Sequence, residues 1–470
     1  MDKLFGRAAL LLIILMVVTV QMVSAASVAA VQKVRFSQTP EKVRIVFDLD
    51  KLPEYNVTLE QDPLRLLVDF SGTLNKNVAR QYTLNDPFVN ALRLAEVQPG
   101  KFQAVIDLKK AVIYKVFTLP SPNRLVIDII KTYDQKIQQE VAPGLNYMTW
   151  LRSRQDGPTA AYILDMDPKQ YVLKPVLSND VVAGLETVKD MADRTGAFAA
   201  VNASYFAPDG QILGLLKMDG KIISTPGIAR TALGIMTDGS IIIDKVDYGG
   251  SIRLPDGKTV AITGVNCERG PNDLILYNSY FNNSTETNEF GIEYVITGGK
   301  VAAINPNNSS LMPDSQVLSA HGTTAEALSK LKVGDKITIE QSLGTAWDKA
   351  VYAIGAGPML VKNNGVFLTT TLEEFGSDVA GGRAPRTAVG VDKNGHILLV
   401  VVDGRQNHSI GMTLKEMASF MQELGAVNAM NFDGGGSSEM VVSGDVVNIP
   451  SDGRERRVGD ALAVVKKSNQ

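Results

Sequence analysis

Short runs of β-branched and aromatic residues, bounded by Pro, Gly and Asn, follow one another through residues 31–130. Val46-Phe-Asp-Leu49 recurs as Val105-Ile-Asp-Leu108, 59 positions later, and Val68-Asp-Phe70 with its neighbours recurs as Val126-Ile-Asp-Ile129 at nearly the same spacing. Such runs predict strands, and two similar sets predict a small all-β sandwich built from a duplicated unit. A structural β-domain without a ligand is the alternative.

A polar segment, residues 133–143, separates this region from the rest of the chain, and its Pro-Gly end predicts a linker. Beyond it, strand patterns alternate with a few helical ones. Residues 183–195 are amphipathic and are followed by Gly196, and residues 413–424 begin with Thr413 as N-cap and Glu416 three positions on. The chain is therefore predicted to be multidomain, with an all-β sandwich followed by an α+β domain.

One strand pattern occurs twice in the second region, as Arg230-Thr-Ala-Leu-Gly-Ile and as Arg386-Thr-Ala-Val-Gly-Val. Each copy precedes an Asp-Gly or Asn-Gly turn and another aliphatic run, which predicts a β-hairpin. The repetition predicts an internally duplicated core with a cleft between the copies. The predicted boundaries are 1–25 for a signal peptide, 26–132 for the sandwich, 133–143 for the linker and 144–470 for the α+β domain, which contains a β-rich insertion at 251–345.

The N-terminus has the layout of a secretory signal. Lys3 and Arg7 precede an apolar run over residues 8–20, and Val23-Ser-Ala25 places small residues at the cleavage positions. An uncleaved membrane anchor is the alternative, although the run is short for a full span. Either interpretation predicts export to the cell envelope, the periplasm or the extracellular space, and only the second attaches the chain to a membrane.

The composition narrows the possible partners. A formal net charge of −3 gives no electrostatic basis for binding nucleic acid. The single cysteine, Cys267, excludes an internal disulfide framework, and three well-separated histidines argue against a histidine zinc site. Because no histidine is near Cys267 in sequence, we expect a buried thiol there rather than a nucleophile.

A glycine-rich segment, Asn431-Phe-Asp-Gly-Gly-Gly-Ser-Ser438, lies between two apolar runs. Three glycines allow a tight turn, and successive N–H groups in such a turn can bind a phosphate. Asp433 is at the strand end, where active-site carboxylates are often presented. The alternative is a glycine-rich hairpin with a solvated aspartate.

Other strands also end in polar residues. Asp403-Gly-Arg405 follows an aliphatic strand, and the Arg405 guanidinium is suited to bind a phosphate or carboxylate. Asn202 is placed to bind a sugar hydroxyl, and Tyr205 to form a platform for a sugar ring. Arg386 opens its strand after a Gly-Gly-Arg loop. His408, a few residues beyond Asp403, is predicted to transfer a proton, and the alternative is an exposed histidine without a role in the reaction.

Over roughly residues 145–466 the chain resembles the phosphodiester glycosidase family, whose bacterial members are associated with exopolysaccharide biosynthesis. The residues that carry the resemblance are Asn202-Ala-Ser-Tyr-Phe206, Gly355-Ala-Gly-Pro-Met-Leu360, Arg386-Thr-Ala-Val-Gly390, Asp403-Gly-Arg405, Ser409-Ile-Gly-Met-Thr-Leu414, Asp433-Gly-Gly-Gly-Ser-Ser438 and Arg456-Arg-Val-Gly-Asp-Ala-Leu462. The N-terminal strands resemble the AMIN domain, a module associated with binding peptidoglycan or another envelope polymer.

The resemblance implies hydrolysis of an alpha-N-acetylglucosamine-1-phosphodiester-like substrate at the anomeric carbon, without a cofactor. A carboxylate then stabilises or attacks the oxocarbenium-like centre, and cations and N–H groups bind the departing phosphate. Asp433 or Asp403 is predicted for the first role, with the other as base for water. The residues predicted for substrate or phosphate are Arg386, Arg405, Gly434, Gly435, Gly436, Ser437, Asn431 and Tyr205, with Asn202 and His408 as further catalytic residues.

Two other functions remain open from the sequence. The first is a non-catalytic protein that binds envelope polysaccharide, against which the intact Asp403 and Asp433 argue. The second is a phosphodiesterase that cuts the P–O bond with one Mg²⁺ or Ca²⁺ held by Asp403, Asp433 and Asn431. Loss of activity with a chelator would distinguish the second from the glycosidase.

Overall fold

A computed structural model describes residues 28–467, so the signal predicted at residues 1–25 lies outside the described part of the chain. The chain forms two compact units. The first comprises residues up to 136 together with Trp150–Ala160 and Gln406–Ile410, and the second comprises Ile137–Thr149, Ala161–Arg405 and the residues from 411 onward. Within residues 28–467, no helix is both long and apolar enough to span a bilayer.

The first unit is built from nine strands that pair in the order β5-β6-β7-β4-β1-β2-β9-β8, with β3 paired to β4. Their bounds are β1 (Ala29–Gln38), β2 (Lys42–Leu49), β3 (Tyr55–Gln61), β4 (Leu64–Leu74), β5 (Gln81–Thr83), β6 (Val89–Gln98), β7 (Lys101–Leu108), β8 (Ile113–Leu119) and β9 (Arg124–Ile130). Two antiparallel sets meet where β1 runs parallel to β4, and one hydrophobic core receives side chains from both sets. The predicted N-terminal β-domain is confirmed.

Period-two alternation explains how this core forms. Along β4, buried residues alternate with partly exposed ones over nine positions, as expected for a strand with one face in a core. The recurring aspartates lie on the other face. Asp48 of β2 pairs with Arg35 of β1, and Asp107 of β7 pairs with Arg93 of β6. The sequence repeat therefore corresponds to two antiparallel strand pairs with the same ion pair across them.

The second unit is also mostly β. The next strands, of which β10, β11 and β12 each include residues of the first unit, are β10 (Tyr133–Ala142), β11 (Leu145–Arg154), β12 (Gly157–Met166), β13 (Tyr171–Leu177), β14 (Glu186–Thr187), β15 (Ala199–Asn202), β16 (Leu216–Met218), β17 (Lys221–Ser224), β18 (Arg230–Ile235) and β19 (Ile241–Val246). Helix α1 (Val188–Thr195) begins after Thr187, whose side chain accepts a hydrogen bond from the Asp190 N–H, and ends at Gly196 with φ +63°. The predicted end of this helix is confirmed, but its start lies five residues later because Glu186 and Thr187 form a strand.

Residues 249–342 form two further sheets, in the region predicted as a β-rich insertion. Their elements are β20 (Gly249–Arg253), β21 (Thr259–Ile262), β22 (Gly264–Val265), β23 (Leu274–Tyr277), β24 (Ile292–Thr297), β25 (Lys300–Asn305), β26 (Ser315–Ala320), α2 (Gly322–Leu328) and β27 (Thr338–Ser342). The sheets have the orders β21-β20-β27 and β22-β23-β26-β24-β25. Their apolar side chains share a core with Leu215 and Ala232 of the preceding strands.

The C-terminal strands complete the main sheets. The remaining elements are α3 (Thr345–Asp348), β28 (Tyr352–Gly355), β29 (Met359–Lys362), β30 (Gly365–Val366), α4 (Ser377–Ala380), β31 (Arg386–Asp392), β32 (Ile397–Val402), α5 (Leu414–Glu423), β33 (Ala426–Asn431), β34 (Met440–Val442), β35 (Asp445–Val446), β36 (Arg457–Val458) and β37 (Asp460–Lys466). The sheet orders are β10-β11-β12-β32-β31-β33-β29-β30, β13-β37-β15-β34-β35, β17-β16-β28-β18-β19 and β14-β36.

Both predicted hairpins form, and with equivalent registers. Arg230 faces Val246 in β18–β19, and Arg386 faces Val402 in β31–β32. The hairpins lie in different sheets, and a wider duplication of the core stays a prediction. Helix α5 has the expected capping box between Thr413 and Glu416.

The predicted linker is a strand. Residues 133–142 form β10, at one end of the eight-stranded sheet. Seven consecutive residues of β10, from Glu140 back to Asp134, are exposed. An edge strand with solvent on both faces needs no apolar side chains, which is why its composition resembles that of a linker.

Candidate functional site

Three strand ends meet at the glycine-rich segment, residues 433–438, which we call the glycine loop. β33 leads directly into it, β15 ends beside it at Asn202, and β37 begins beside it at Asp460 because Asn202 pairs with Ala461. The Asp433 N–H donates to the Ala203 carbonyl over 2.9 Å. The main chain thus fixes the position of Asp433 relative to both neighbouring strand ends.

Asp433 is a half-buried carboxyl group with few compensating partners. Its Oδ1 accepts the Gly434 N–H at 2.8 Å. Burial raises the pKa of Asp433 to about 6, although the Ser437 hydroxyl, the Gly434 N–H and the charge of Arg456 each act to lower the pKa. Among residues 28–467, it forms no ion pair. A carboxyl group held near neutrality in this way is typical of an active site.

A second carboxyl group, Asp460, lies next to Asp433. It is 1% exposed, and Ser204 donates to it from both the backbone N–H and the hydroxyl, each over 2.7 Å. Burial raises the pKa of Asp460 to about 6, and the charge of Asp433 raises that pKa further. The two aspartates therefore form an electrostatically coupled pair, with Asp433 as the accessible member.

Tyr205 lies on the other side of Asp433. Its hydroxyl donates to the Gly357 carbonyl over 3.0 Å and accepts from the Asn431 side chain at 3.1 Å. Burial and the nearby charge of Asp433 raise the pKa of Tyr205 far above its usual range, so it acts as a neutral group. Its ring centroid is 5.8 Å from that of Phe375, which forms an aromatic surface at the site.

Two arginines, one from each hairpin, face Tyr205, since the charges of Arg230 and Arg386 both lower the pKa of its hydroxyl. The Arg230 guanidinium is 4.2 Å from the Phe375 ring centroid, a cation–π distance. Its Nε donates to the Glu373 carbonyl at 3.1 Å. The outer nitrogens of Arg230 have no hydrogen-bond partner within residues 28–467 and remain available to an anion.

Arg386 is more deeply placed than the sequence suggests, at 3% exposed. Its nitrogens donate to the carbonyls of Met412, Val379 and Gly382, over 3.0, 3.0 and 3.2 Å. Desolvation lowers the pKa of Arg386. Direct contact with a substrate phosphate, as predicted, is not favoured by this burial. Arg386 instead supports the surrounding loops and adds a positive field to the site.

Arg405 and Arg456 lie on either side of the glycine loop. A Cβ placed on Gly435 would be 3.3 Å from an Arg405 nitrogen, and one on Gly436 would overlap the Arg456 guanidinium. Arg405 is exposed and has no hydrogen-bond partner among the described residues. Arg456 pairs with Asp452 at 2.6 Å and reaches the Ser437 hydroxyl at 3.5 Å. Gly435 also has φ +61°, a left-handed backbone conformation that favours glycine.

The glycine loop does not form the set of converging N–H groups that the sequence predicts. The Gly434 N–H binds Asp433, the Gly435 N–H donates to Pro385, and the Ser437 N–H donates to Gly434. Only the Gly436 N–H of this predicted set has no partner in the described structure. The loop therefore offers one free N–H beside two arginines instead of a converging nest.

Asp403 does not resemble Asp433 in its surroundings. It is 1% exposed, and it accepts hydrogen bonds from Tyr162, Asn448 and the Ile449 N–H over 3.0–3.2 Å. The Asn448 amide also donates to the Ser438 carbonyl at 3.0 Å. These contacts favour a role for Asp403 in positioning the glycine loop, rather than the predicted role as base for water.

Asn202 is likewise occupied within the protein. Its amide nitrogen donates to the Asp433 carbonyl at 2.7 Å, and its oxygen accepts from Thr387 at 2.7 Å and from the Glu439 N–H at 3.2 Å. Asn202 therefore orients the glycine loop, and these bonds do not favour contact with a sugar hydroxyl. Asn431, 1% exposed, donates to Tyr205 and Phe432, and its side-chain oxygen has no partner.

Two other residues that the sequence singled out lie elsewhere. His408 is half-buried in Gln406–Ile410, which belongs to the first compact unit, and its predicted proton-transfer role stays a prediction. Cys267 is a partly buried free thiol, and burial raises its pKa to about 11. A neutral thiol agrees with a structural cysteine.

Sequence reasoning assigned no role to Asp460, Arg456 or Arg230. The first two are inside the Arg456–Leu462 segment, which marked the resemblance, and Arg230 opens the first copy of the repeated hairpin. The sequence feature that could have identified these three residues is therefore their position along the chain. Each is a charged residue at or near the start of a strand, in a segment that had already been singled out.

The described fold and site define a protein with an N-terminal β-domain and a β-rich domain that carries a desolvated carboxyl pair among arginines. Comparisons assign both parts. Residues 290–465 match the family model for phosphodiester glycosidase, and residues 33–128 match that for the AMIN domain. The chain therefore contains an AMIN domain and a phosphodiester glycosidase domain, as the resemblance predicted.

Individual relatives match this chain over shorter segments or at lower sequence identity. The bovine N-acetylglucosamine-1-phosphodiester alpha-N-acetylglucosaminidase is 48% identical over 67 residues, which is 14% of this chain and 12% of the enzyme. The N-acetylmuramoyl-L-alanine amidase AmiC of Escherichia coli is 27% identical over 26% of this chain and 31% of its own length. The crystal structure of a hypothetical protein from Synechocystis superposes with a TM-score of 0.67 at 22% identity, over 94% of this chain and 82% of that one. The last similarity establishes the fold alone.

Proposed function

We propose that the second unit hydrolyses a sugar-1-phosphodiester at the anomeric carbon, with Asp433 acting on that carbon. The observation that carries this proposal is the state of Asp433, an accessible carboxyl group with a pKa of about 6 and no ion pair among residues 28–467. The carboxylate is the major form at neutral pH, and poor solvation makes it reactive toward a developing positive charge.

In the proposed reaction, the C1–O bond of the sugar breaks and its electron pair leaves with the bridging oxygen of the phosphate. The Asp433 carboxylate either stabilises the oxocarbenium-like centre until water adds to C1, or bonds to C1 and is then displaced by water. In both cases water supplies the new C1 hydroxyl and loses one proton to the solvent. Because a phosphate monoester leaves readily, no strong acid is required at the bridging oxygen. Asp460 does not contact the substrate in this proposal, and it sets the position and pKa of its neighbours.

Cations suited to the departing phosphate surround this carboxyl group. Arg230 and Arg405 have nitrogens without hydrogen-bond partners among residues 28–467, and Arg456 lies beside Gly436. Charge that develops on a leaving phosphate is stabilised by such donors when they are already in place. Tyr205 and Phe375 offer a neutral aromatic surface for the sugar. An alpha-N-acetylglucosamine-1-phosphodiester is the substrate class that the family similarity suggests.

The metal-dependent alternative finds less support in the side chains. Its proposed ligands were Asp403, Asp433 and Asn431, and the Asp403 oxygens already accept three protein hydrogen bonds. Among residues 28–467, no group of three or more His, Cys, Asp or Glu side chains is arranged around a common metal position. We therefore propose that the hydrolysis needs no divalent cation.

The first unit supports a proposal about where the protein acts. AMIN domains are associated with binding of envelope polymers, and the signal-like N-terminus indicates export. We propose that the protein acts in the cell envelope, in the periplasm or outside the cell, with the AMIN domain binding a cell-wall polymer such as peptidoglycan. The polysaccharide-binding alternative shares this location and differs only in lacking turnover.

Release of free N-acetylglucosamine from methyl N-acetyl-alpha-glucosaminyl phosphate tests the proposal. The full chain should release sugar with EDTA present, and Asp433→Asn should not. Asp314→Asn, an exposed aspartate with no hydrogen bond or ion pair within residues 28–467, serves as the matched control. Sugar release that EDTA abolishes would support the metal-dependent alternative. No release from this or other sugar-1-phosphodiesters by a folded protein would favour the binding protein.

A further inference from the structure

The eight-stranded sheet of the second unit is only partly covered by its helix. Helix α5 packs against β29, β30 and β33, and a Cβ on Gly390 of β31 would be 2.8 Å from the Met421 side chain. The helix therefore lies over one end of the sheet. The strands toward the other end, β10, β11, β12 and β32, border an open cavity of about 460 Å³ beside the last turn of α5. We call this cavity the trough.

The trough combines an apolar floor with polar walls. Ile163 and Leu398, from adjacent strands, supply apolar side chains in its centre, and Gln138 and Asn146 supply amides from the exposed strands β10 and β11. Tyr147 adds an aromatic ring whose hydroxyl accepts from Thr149 at 3.0 Å. Apolar surface with a few placed polar groups is the usual composition of a ligand site.

The charges of the trough are acidic. Glu140 and Asp165 are among its lining residues, and no lysine or arginine is. Asp165 pairs with His396 over 2.7 Å, and this contact raises the pKa of His396. An anionic polymer would meet unfavourable electrostatics there. Amide groups, which both donate and accept hydrogen bonds, match the hydroxyl and acetamido groups of an uncharged ligand.

The trough lies apart from Asp433 and Asp460, although one of its residues, Tyr147, is close enough to Asp403 for that charge to raise the pKa of Tyr147. Leu398 is near the start of β32, whereas Asp403 follows its end, so the two positions are about 17 Å apart along the strand. None of Asp433, Asp460 and the arginines around them lines the trough. A ligand in the trough would therefore not occupy the place of the scissile bond.

We propose that the trough binds an uncharged, hydroxyl-rich glycan chain and thereby gives the second unit a polysaccharide-binding site of its own. The cavity is open to solvent beside the exposed strand β10, which leaves room for a chain longer than the cavity. The proposal rests on the proposed hydrolase function only for the choice of N-acetylglucosamine as the first sugar to test. Binding itself does not depend on turnover.

The test is calorimetric titration of chitohexaose, the N-acetylglucosamine hexamer, into the full chain carrying Asp433→Asn, so that binding is measured without hydrolysis. Cellohexaose is titrated in parallel. The trough variant adds Gln138→Ala and Asn146→Ala, two exposed positions. The control variant adds Thr338→Ala and Glu340→Ala, two exposed positions on β27 of the same unit.

We expect saturable binding of at least one of the two glycans, weakened at least tenfold in the trough variant and unchanged in the control. The trough changes in an otherwise native chain should leave hydrolysis of the small phosphodiester unaltered. Binding that is equal in all variants would place the glycan elsewhere and overturn the proposal, as would absence of saturable binding to both glycans. If the native chain hydrolyses no phosphodiester but the trough still binds glycan, only the proposed function fails.

Discussion

Two buried aspartates of the first unit and two aspartates at the candidate site of the second are held in opposite ways. In the first unit, Asp128 pairs with Arg44 at 2.6 Å and Asp86 pairs with Lys131 at 2.9 Å. In the second, Asp433 and Asp460 are held by neutral donors, and burial dominates their pKa values. The same residue type therefore has a lowered pKa in one region, at Asp128, and a raised pKa in the other.

This difference distinguishes carboxylates that stabilise the fold from carboxylates that are suited to take part in a reaction. A paired aspartate stays ionised and contributes to folding, whereas a desolvated one without a cation costs folding free energy at neutral pH. Such a cost is expected where reactivity is needed. The contrast can be tested on both sides by exchanging carboxylates for their neutral amides.

The largest effect is expected at the phosphodiester site. Asp433→Asn should lower kcat at least about 1,000-fold, because a carboxylate that bonds to or stabilises the reacting carbon cannot be replaced by an amide. The variant should fold at least as stably as the parent, since it removes a desolvated charge. Steady-state sugar release and thermal unfolding measure the two quantities. Activity within tenfold of the parent would remove Asp433 from the reaction.

In the first unit, the same exchange should damage the fold. Asp86 and Lys131 form a pair with side chains 3% and 6% exposed, so Asp86→Asn leaves a buried ammonium without its counter-charge. We expect a loss of roughly 3–5 kcal/mol in the free energy of unfolding, measured by urea denaturation. The exposed pair Arg93–Asp107 is the comparison, because Asp107→Asn should cost no more than about 1 kcal/mol. Equal losses would contradict the role of burial.

Glu439, in the second unit, is another buried carboxyl group without a cation partner among residues 28–467, and its effect on the stability of the fold depends on pH. It is 1% exposed, and burial together with Glu455 raises its pKa to about 8; the charge of Asp190 also raises this pKa, whereas a backbone hydrogen bond from Lys189 lowers it. The folded state therefore binds a proton more tightly than the unfolded chain. Its stabilising contribution is complete below about pH 4.5 and is lost as the pH rises through 8.

Glu439→Gln should remove this dependence and stabilise the protein at pH 9 by on the order of 3 kcal/mol. Urea unfolding at pH 5, 7 and 9 measures the free energy of unfolding of the parent and the variant. The exchanged amide keeps the shape of the side chain and can donate to Glu455. A parent protein whose stability does not fall between pH 5 and pH 9 would show that the carboxyl group is already paired in solution.

The smallest expected effect concerns the coupling between the two aspartates. The pH profile of kcat/KM should rise through a pKa of about 6 as Asp433 ionises. Asp460→Asn removes a neighbouring negative charge, so we expect this limb to move to lower pH by less than about one unit. A purely structural role for Asp460 would lower activity without moving the profile.

Local patterns predicted much of this structure from the sequence. The α5 capping box, the two hairpins and the glycine loop each depend on residues within about 15 positions, and all are found where expected. The pairing of Asp433 with Asp460 depends on the insertion of β37 between β13 and β15. No local pattern carries that information.

The partners of Asp403 illustrate the same limit. Tyr162 is 241 positions away in sequence and Asn448 is 45 positions away, so the satisfaction of this carboxylate could not be anticipated. The sequence correctly placed Asp403 and Asp433 at strand ends. Which of them is desolvated and accessible was decided by long-range packing.

The position of the bond that breaks tests the central claim most directly. Methyl N-acetyl-alpha-glucosaminyl phosphate is hydrolysed by the full chain in ¹⁸O-labelled water with EDTA present, and the methyl phosphate product is examined by ³¹P NMR. Attack at the anomeric carbon predicts methyl phosphate without ¹⁸O, because the bridging oxygen leaves with phosphorus. Methyl phosphate that contains ¹⁸O would show cleavage of the P–O bond and contradict a glycosidase mechanism.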